Sequence, residues 1–278
     1  NSLDGGASWG NKTYAQGGDK QWMEIDKTNN SGNGHMYAYW NSSYSVCPPG
    51  SFTRSTDGSF FEDCITIPND PYWGTLAIAS NGDLFVGGSI GGDFLVVRSS
   101  NAKIAGQIVT WDMTTNVSLD GYVGFGGGPN PGGLLGQTII AIDTSGGPYQ
   151  DNIYLLCSVE RNSNPDPLDV MFARSTNGGV TFSSPIKIND DAGTSAYQWF
   201  GTMSVAPNGR IDVIWLDTRD NPGTVLSALY YSNSSDGGLT WSQNERLSDY
   251  FDPHVGWPQQ NKMGDYFDMV SDINGANL

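Results

Sequence analysis

The sequence predicts an all-β fold assembled from repeated four-stranded units, and three observations carry that expectation. First, one pattern recurs. Ser234-Ser235-Asp236-Gly237-Gly238-Leu239-Thr240-Trp241, Ser2-Leu3-Asp4-Gly5-Gly6-Ala7-Ser8-Trp9 and Ser175-Thr176-Asn177-Gly178-Gly179-Val180-Thr181-Phe182 share one template: Ser, then Asp or Asn, then Gly, then Ser or Thr before a large aromatic. Second, the 278 residues include 37 Gly, 9 Trp, 13 Tyr and 11 Phe, a turn-rich and aromatic-rich composition. Third, no stretch keeps helical periodicity for three turns, whereas alternating runs such as Met171-Phe172-Ala173-Arg174 and Leu229-Tyr230-Tyr231-Ser232 precede the copies.

The template encodes a turn. Asp or Asn accepts N–H bonds from the residues after it, Gly takes the φ > 0 position where a Cβ would clash, and the aromatic anchors the hairpin. With a strand running into it, each copy reads as a hairpin tip. Ser55-Thr56-Asp57-Gly58-Ser59 starts the pattern without finishing it, and Ser99-Ser100-Asn101 reads as a further copy whose Thr110-Trp111 is displaced by an insertion. Self-similar hairpins at long intervals are the signature of a repeat architecture.

Taken in order, residues 1–19 hold one copy and the tail of a unit. Segments 21–26, 35–40, 51–54 and 61–67 read as four strands, and 74–79, 84–87, 94–97 and 108–113 as four more. The Gly/Pro-rich loop 121–133 is long enough to be a rim or lid, or a linker. A third set covers 138–143, 152–159, 169–174 and 185–188, and a fourth 201–206, 211–216, 228–232 and 245–247. Segment 265–270 opens another unit. Four strands in meander order make one blade of a β-propeller, so the expectation is one propeller domain over 1–278 with partial terminal blades at 1–19 and 264–278. The intact ring has five blades if the terminal pieces share a sheet and six if each belongs to its own.

The template S-x-D-x-G-x-T-W resembles the Asp-box, or bacterial neuraminidase repeat, of sialidases and related propellers. That resemblance implies a six-bladed ring, a secreted or cell-surface protein, and glycan or glycoprotein partners. It makes Ser2, Asp4, Gly6 and Trp9, Ser175, Asn177, Gly179 and Phe182, and Ser234, Asp236, Gly238 and Trp241 structural residues away from the active site. The activity it implies is exo-α-sialidase hydrolysis, in which arginines hold a carboxylate, a Tyr paired with a Glu is the nucleophile and an Asp is the acid/base. The first arginine of that family lies in a Phe/Tyr-Arg-Ile-Pro motif, which this chain does not contain. The alternative is a non-catalytic surface or matrix propeller.

Composition narrows the partners. A net charge of −16 argues against nucleic acid or an anionic membrane surface. It suits a solvated acidic surface, or several structural Ca²⁺ ions. No apolar run approaches a membrane span. Neither a metal-ligand cluster nor a nucleotide fingerprint is found, and no cofactor is expected. Cys47 and Cys64 flank one hairpin and can be bridged or free, while Cys157 sits in an apolar run as a buried thiol.

Meander topology sorts the candidate site residues. Turns joining strands one to two and three to four of a blade lie on one face with the repeat turns, so function falls to the loops on the other. Arg54, Arg98 and Arg174 precede repeat turns and read as hairpin packing. Arg161 and Arg219 follow second strands and are the expected substrate-binding cations, or else partners in local ion pairs with Glu160 and Asp217. Asp217, Asp220, Glu160 and Tyr266 are the candidate catalytic groups, with Gln198, Trp199, His254 and Asp265 as further substrate contacts.

Overall fold

The computed structural model describes every residue except 1, 3, 165 and 258. Its strands form antiparallel meander blades around a central axis. The first blade is β1 (Asp19–Ile25), β2 (Met36–Asn41) and β3 (Phe52–Ser55), and the second is β4 (Tyr72–Ile78), β5 (Leu84–Ile90), β6 (Asp93–Ser99) and β7 (Met113–Val117). Three short strands follow: β8 (Gly121–Val123), β9 (Phe125–Gly127) and β10 (Asn130–Leu134). The third blade is β11 (Ile139–Ile142), β12 (Ile153–Arg161), β13 (Asp169–Ser175) and β14 (Ile186–Lys187). The fourth is β15 (Gln198–Val205), β16 (Ile211–Asp217), β17 (Ala228–Ser234) and β18 (Glu245–Arg246). A two-stranded fragment, β19 (Val270–Ser271) and β20 (Ala276–Asn277), ends the chain.

The second and third sheets are covered on both faces by their neighbours, which is why their central strands read as continuous apolar runs. In β12, Ile153, Leu155 and Cys157 pack with Phe85, Phe94 and Val96 of the second blade. Tyr154 and Leu156, one residue out of phase, pack with Met203, Ile211, Val213 and Trp215 of the fourth. Tyr37, Tyr39 and Phe52 meet Leu76, Leu84 and Val86 in the same way. Each such apolar side chain contributes about 1.5–3 kcal/mol on burial. The free thiol of Cys157 belongs to one of these layers, and Cys47 and Cys64 form a disulfide.

The repeat turns are built as the template requires. Asp236 accepts N–H bonds from Leu239 and Thr240 at 2.9 Å each, and Ser234 Oγ donates to Asp236 at 2.8 Å while accepting from Gly238 N at 3.0 Å. Ser175 and Asn177, and Ser2 and Asp4, repeat that pattern. In the second blade Asn101 accepts from Thr110 N at 2.9 Å, so the displaced half returns to its place across the insertion. In the second, third and fourth blades the aromatic of the turn leans on the preceding blade: Trp111 on Phe52, Phe182 against the cluster containing Phe85, and Trp241 on Phe172. Trp9 is 74% exposed. Arg54 and Arg174 tie one turn to the next, donating to Ala102 O at 2.7 Å and Gly237 O at 3.1 Å, while Arg98 pairs with Asp112.

Three expected strands differ. Segment 61–67 contributes a single bridge from Ile65 to Phe52. The outer strand of the second blade runs over Met113–Val117 rather than 108–113, because the insertion occupies the earlier residues. Segment 265–270 is mostly irregular, with regular pairing from Val270 onward. Loop 121–133 is not a linker: β8 continues the edge of β12 that β11 leaves, and β9 and β10 form a hairpin. The inner strands β1, β4, β11 and β15, together with 268–271, line an axial cavity of about 650 Å³. That lining extends to Thr28, Ser80 and Thr144 in the strand one-to-two turns, on the face of the repeat turns.

Candidate functional site

The opposite face is shaped by bulges at the start of the inner strands. The register breaks between Asp19 and Trp22, between Tyr72 and Thr75, and between Trp199 and Thr202. At each break one bulky residue takes a left-handed backbone: Lys20 at φ 57°, Trp73 at φ 50° and Phe200 at φ 57°. Such conformations cost about 1–3 kcal/mol, and bulges re-aim side chains.

The β9–β10 hairpin stacks Phe125 on Trp73 and is fastened to the C-terminal segment. Gly132 N donates to Asn261 O at 2.7 Å, and Asn130 Nδ2 to Gly264 O at 2.9 Å. Met263 N donates to Asn130 Oδ1 at 2.9 Å, and Leu134 N to Asp265 Oδ1 at 3.1 Å. Asp265 also holds Lys20 and Lys262, at 2.9 and 2.7 Å. Burial works to raise the Asp265 pKa, but Lys262 and Lys20 outweigh it and hold the carboxylate below its usual range. Tyr266 is tilted against Trp22 with ring centroids 5.2 Å apart, and its phenol is pushed up by burial.

At the edge of this cap, β8 brings together a group the sequence did not signal. Tyr122 pairs with Glu160 across β8 and β12, and its hydroxyl donates to Glu160 Oε2 at 2.8 Å. That hydrogen bond and the negative charge raise the Tyr122 pKa. Glu160 is not paired with Arg161, because adjacent residues of a strand point to opposite sides. Arg161 instead binds Asp120 through Nε at 2.9 Å, Asp169 through Nη1 at 3.1 Å and Ser163 through Nη2 at 3.0 Å. Tyr122, 43% exposed, and Phe125, 60% exposed, present aromatic surface here.

Arg219 is likewise engaged. It binds Asp217 through Nε at 2.8 Å, Asp190 at 2.7 Å and Asn244 at 3.1 Å, and its guanidinium lies 4.5 Å from the Tyr230 ring. Asp217 is buried and also accepts from Gln198 Nε2, Trp215 Nε1 and Arg219 N. Gln198 and Trp199 are fully buried, and Trp199 Nε1 donates to Ser227, so neither presents a face to solvent. Asn189 joins the two halves, donating to Asp169, Asp191 and Gln198. Arg161 and Arg219 thus end on one polar network between the third and fourth blades rather than on one open pocket.

Asp166 lies beside this network, 3% exposed, with neither carboxylate oxygen bonded to any of the described residues. Burial, then the charges of Asp169 and Asp191, push its pKa up to about 7. Asp220 accepts from Tyr230 at 2.5 Å, and His254 packs 4.2 Å from Trp257. Among the described residues no group of His, Cys, Asp and Glu is arranged to hold a metal ion. Among the same residues no helix is long and apolar enough to cross a membrane.

No family model and no curated protein matches the chain in sequence. Solved structures do resemble it. The α-L-arabinofuranosidase Arb93A from Fusarium graminearum, in complex with an iminosugar inhibitor, is 17% identical with a TM-score of 0.53, over 85% of this chain and 72% of that one. Penicillium chrysogenum α-L-arabinanase, complexed with arabinobiose, is 16% identical with a TM-score of 0.53, over 82% of this chain and 65% of that one. A polysaccharide lyase of family PL25, an ulvan lyase, is 14% identical with a TM-score of 0.50, over 89% of this chain and 62% of that one. At such identities the likeness establishes the fold, a β-propeller, and leaves the activity to the site.

Proposed function

We propose that this chain is a secreted or cell-surface glycan-processing propeller, a glycoside hydrolase on the propeller plan of the sialidases whose nucleophile and base are Tyr122 and Glu160. The observation that carries this reading is the 2.8 Å hydrogen bond between an exposed phenol and a carboxylate, on the face away from the repeat turns. A phenol is a weak nucleophile at neutral pH, and a carboxylate positioned on its hydroxyl takes the proton as the oxygen attacks an anomeric carbon. Completing the step needs a second carboxyl that carries a proton to the leaving oxygen, and Asp220 is the carboxyl of the expected set most open to solvent. Two other tyrosine–carboxylate pairs, Tyr230 with Asp220 and Tyr231 with Asp212, involve less accessible phenols. The Asp-box resemblance and the likeness to carbohydrate-active propellers support glycans or glycoproteins as partners. The Cys47–Cys64 disulfide supports an oxidising compartment.

One observation favours the surface-propeller reading: Arg161 and Arg219, the expected carboxylate clamps, are both saturated by the protein's own carboxylates. Assays of fluorogenic α-sialosides and α-L-arabinofuranosides with the wild type, Y122F and E160Q separate the two. Turnover by the wild type that both variants lose supports hydrolysis. Absence of turnover on every glycoside leaves the non-catalytic reading standing.

A further inference from the structure

The ring of Phe125 lies parallel to Trp73, with centroids 5.9 Å apart and 16° between planes, and Tyr72 meets Trp73 edge-on at 4.9 Å. Phe125 is nonetheless 60% exposed. A flat apolar face, backed by Trp73, is therefore turned toward solvent. Its backing is strained, since Trp73 adopts φ 50°, and that conformation is fixed by bonds from Trp73 N to Asn41 Oδ1 at 3.0 Å and from Thr138 N to Trp73 O at 2.9 Å. Strain of this kind persists where surrounding structure over-determines it, and it clusters at ligand clamps. Phe125 itself sits between Gly124, where a Cβ would lie 2.9 Å from Leu168, and Gly126 at φ 67°.

We infer that Phe125, backed by Trp73, is a stacking platform for the face of an uncharged sugar ring. The C–H face of a pyranose or furanose is apolar and flat, and its outward hydroxyls need polar partners, which the Tyr122 hydroxyl, three residues away in sequence, and the Glu160 it bonds can supply. The absence of charge follows from the surroundings: Arg161 ends on Asp120 and Asp169, Lys20 and Lys262 end on Asp265, and the chain carries a net charge of −16. An anionic sugar would meet carboxylates already holding these cations. This inference rests on the glycan reading but not on the Tyr122–Glu160 chemistry.

Calorimetric titration of the wild type, F125A and F125W with arabinobiose, lactose and sialyllactose tests it. At least one neutral disaccharide should bind the wild type, bind F125A about tenfold more weakly, the scale of an aromatic contact, and bind F125W as before. Sialyllactose should bind no more tightly than lactose. Unchanged affinity in a folded F125A overturns the platform and leaves the glycan reading intact. Tighter binding of sialyllactose overturns the neutral-sugar assignment. A wild type that binds none of the three overturns both the platform and the glycan reading. If F125A fails to fold, F125S and F125W, compared by thermal melts and titration, decide the same question through loss or retention of the ring.

Discussion

Tyr122 and Glu160 stand directly opposite each other on paired strands, hydroxyl to carboxylate at 2.8 Å. If that pair performs the chemistry, Y122F removes the nucleophile and E160Q removes the base that takes its proton. Each should lower kcat by about 10²–10⁴-fold, the scale of general base catalysis. The KM of a small aryl glycoside should change little. Because the carboxylate raises the Tyr122 pKa, E160Q should also return the phenol toward its ordinary value, which an ultraviolet pH titration detects as a shift to lower pH. A variant that titrates and turns over like the wild type sinks the assignment.

Arg219 is expected to matter for stability. R219A leaves Asp217, whose side chain is 0% exposed, without its cation, and breaking a buried pair from one side costs about 3–5 kcal/mol. R219K should recover only part, since one ammonium cannot serve Asp217, Asp190 and Asn244 together. Urea denaturation of the two variants checks this, and a loss below about 1 kcal/mol for R219A would show that the network is a surface one.

Stability should depend on pH through Asp166. Its folded pKa, near 7, lies above the ordinary 3.8, so the folded state holds the proton more tightly. The stabilisation is complete below the ordinary value and disappears as pH rises toward 7. Asp236 runs the other way: burial opposes it, but bonds from Thr240, Ser234 and Leu239 hold it at about 2, and its contribution is lost as pH falls from 3.8 toward that value. Melting temperatures between pH 4 and 8 should fall by about 3 °C or more in the wild type, on the scale of 1 kcal/mol, and stay flatter in D166N. Parallel curves would remove Asp166 as the cause.

The repeat turns should differ in their tolerance of a methyl group. At Gly238, φ is 79° and an added Cβ would lie 2.5 Å from Phe172 Cζ, whereas at Gly6, φ is 92° and the nearest atom, on Trp9, is 3.9 Å away. G238A combines backbone strain with overpacking and should cost about 3 kcal/mol, against about 1 kcal/mol for G6A. Equal losses in denaturant titrations would mean that backbone strain alone sets the effect.

The repeat was legible because its chemistry is local: Ser, Asp and Gly within five residues satisfy one another whatever the neighbours are. The blade strands were legible because burial on both faces leaves unbroken apolar runs such as 153–157. Partners across blades were not. Nothing near Arg161 points to Asp120, 41 positions earlier, and the alternation that separates Arg161 from Glu160 argues only against the nearest choice. The bulges at Lys20, Trp73 and Phe200 left no mark either, since residues that disfavour φ > 0 occupy them and tertiary contacts impose the geometry. Segment 121–134 is too rich in Gly to show alternation, so its hairpin and the exposed Tyr122 and Phe125 passed as loop.

The turn of the second blade closes between Asn101 and Thr110 although the residues between them are a detour. A lock whose two halves need not be contiguous gives the architecture a docking port for extra sequence, where new loops can be accepted without renegotiating the sheets. Families built on such turns can diversify at these tips while their blades stay constant, and counting copies by fixed spacing will miss the members that have done so.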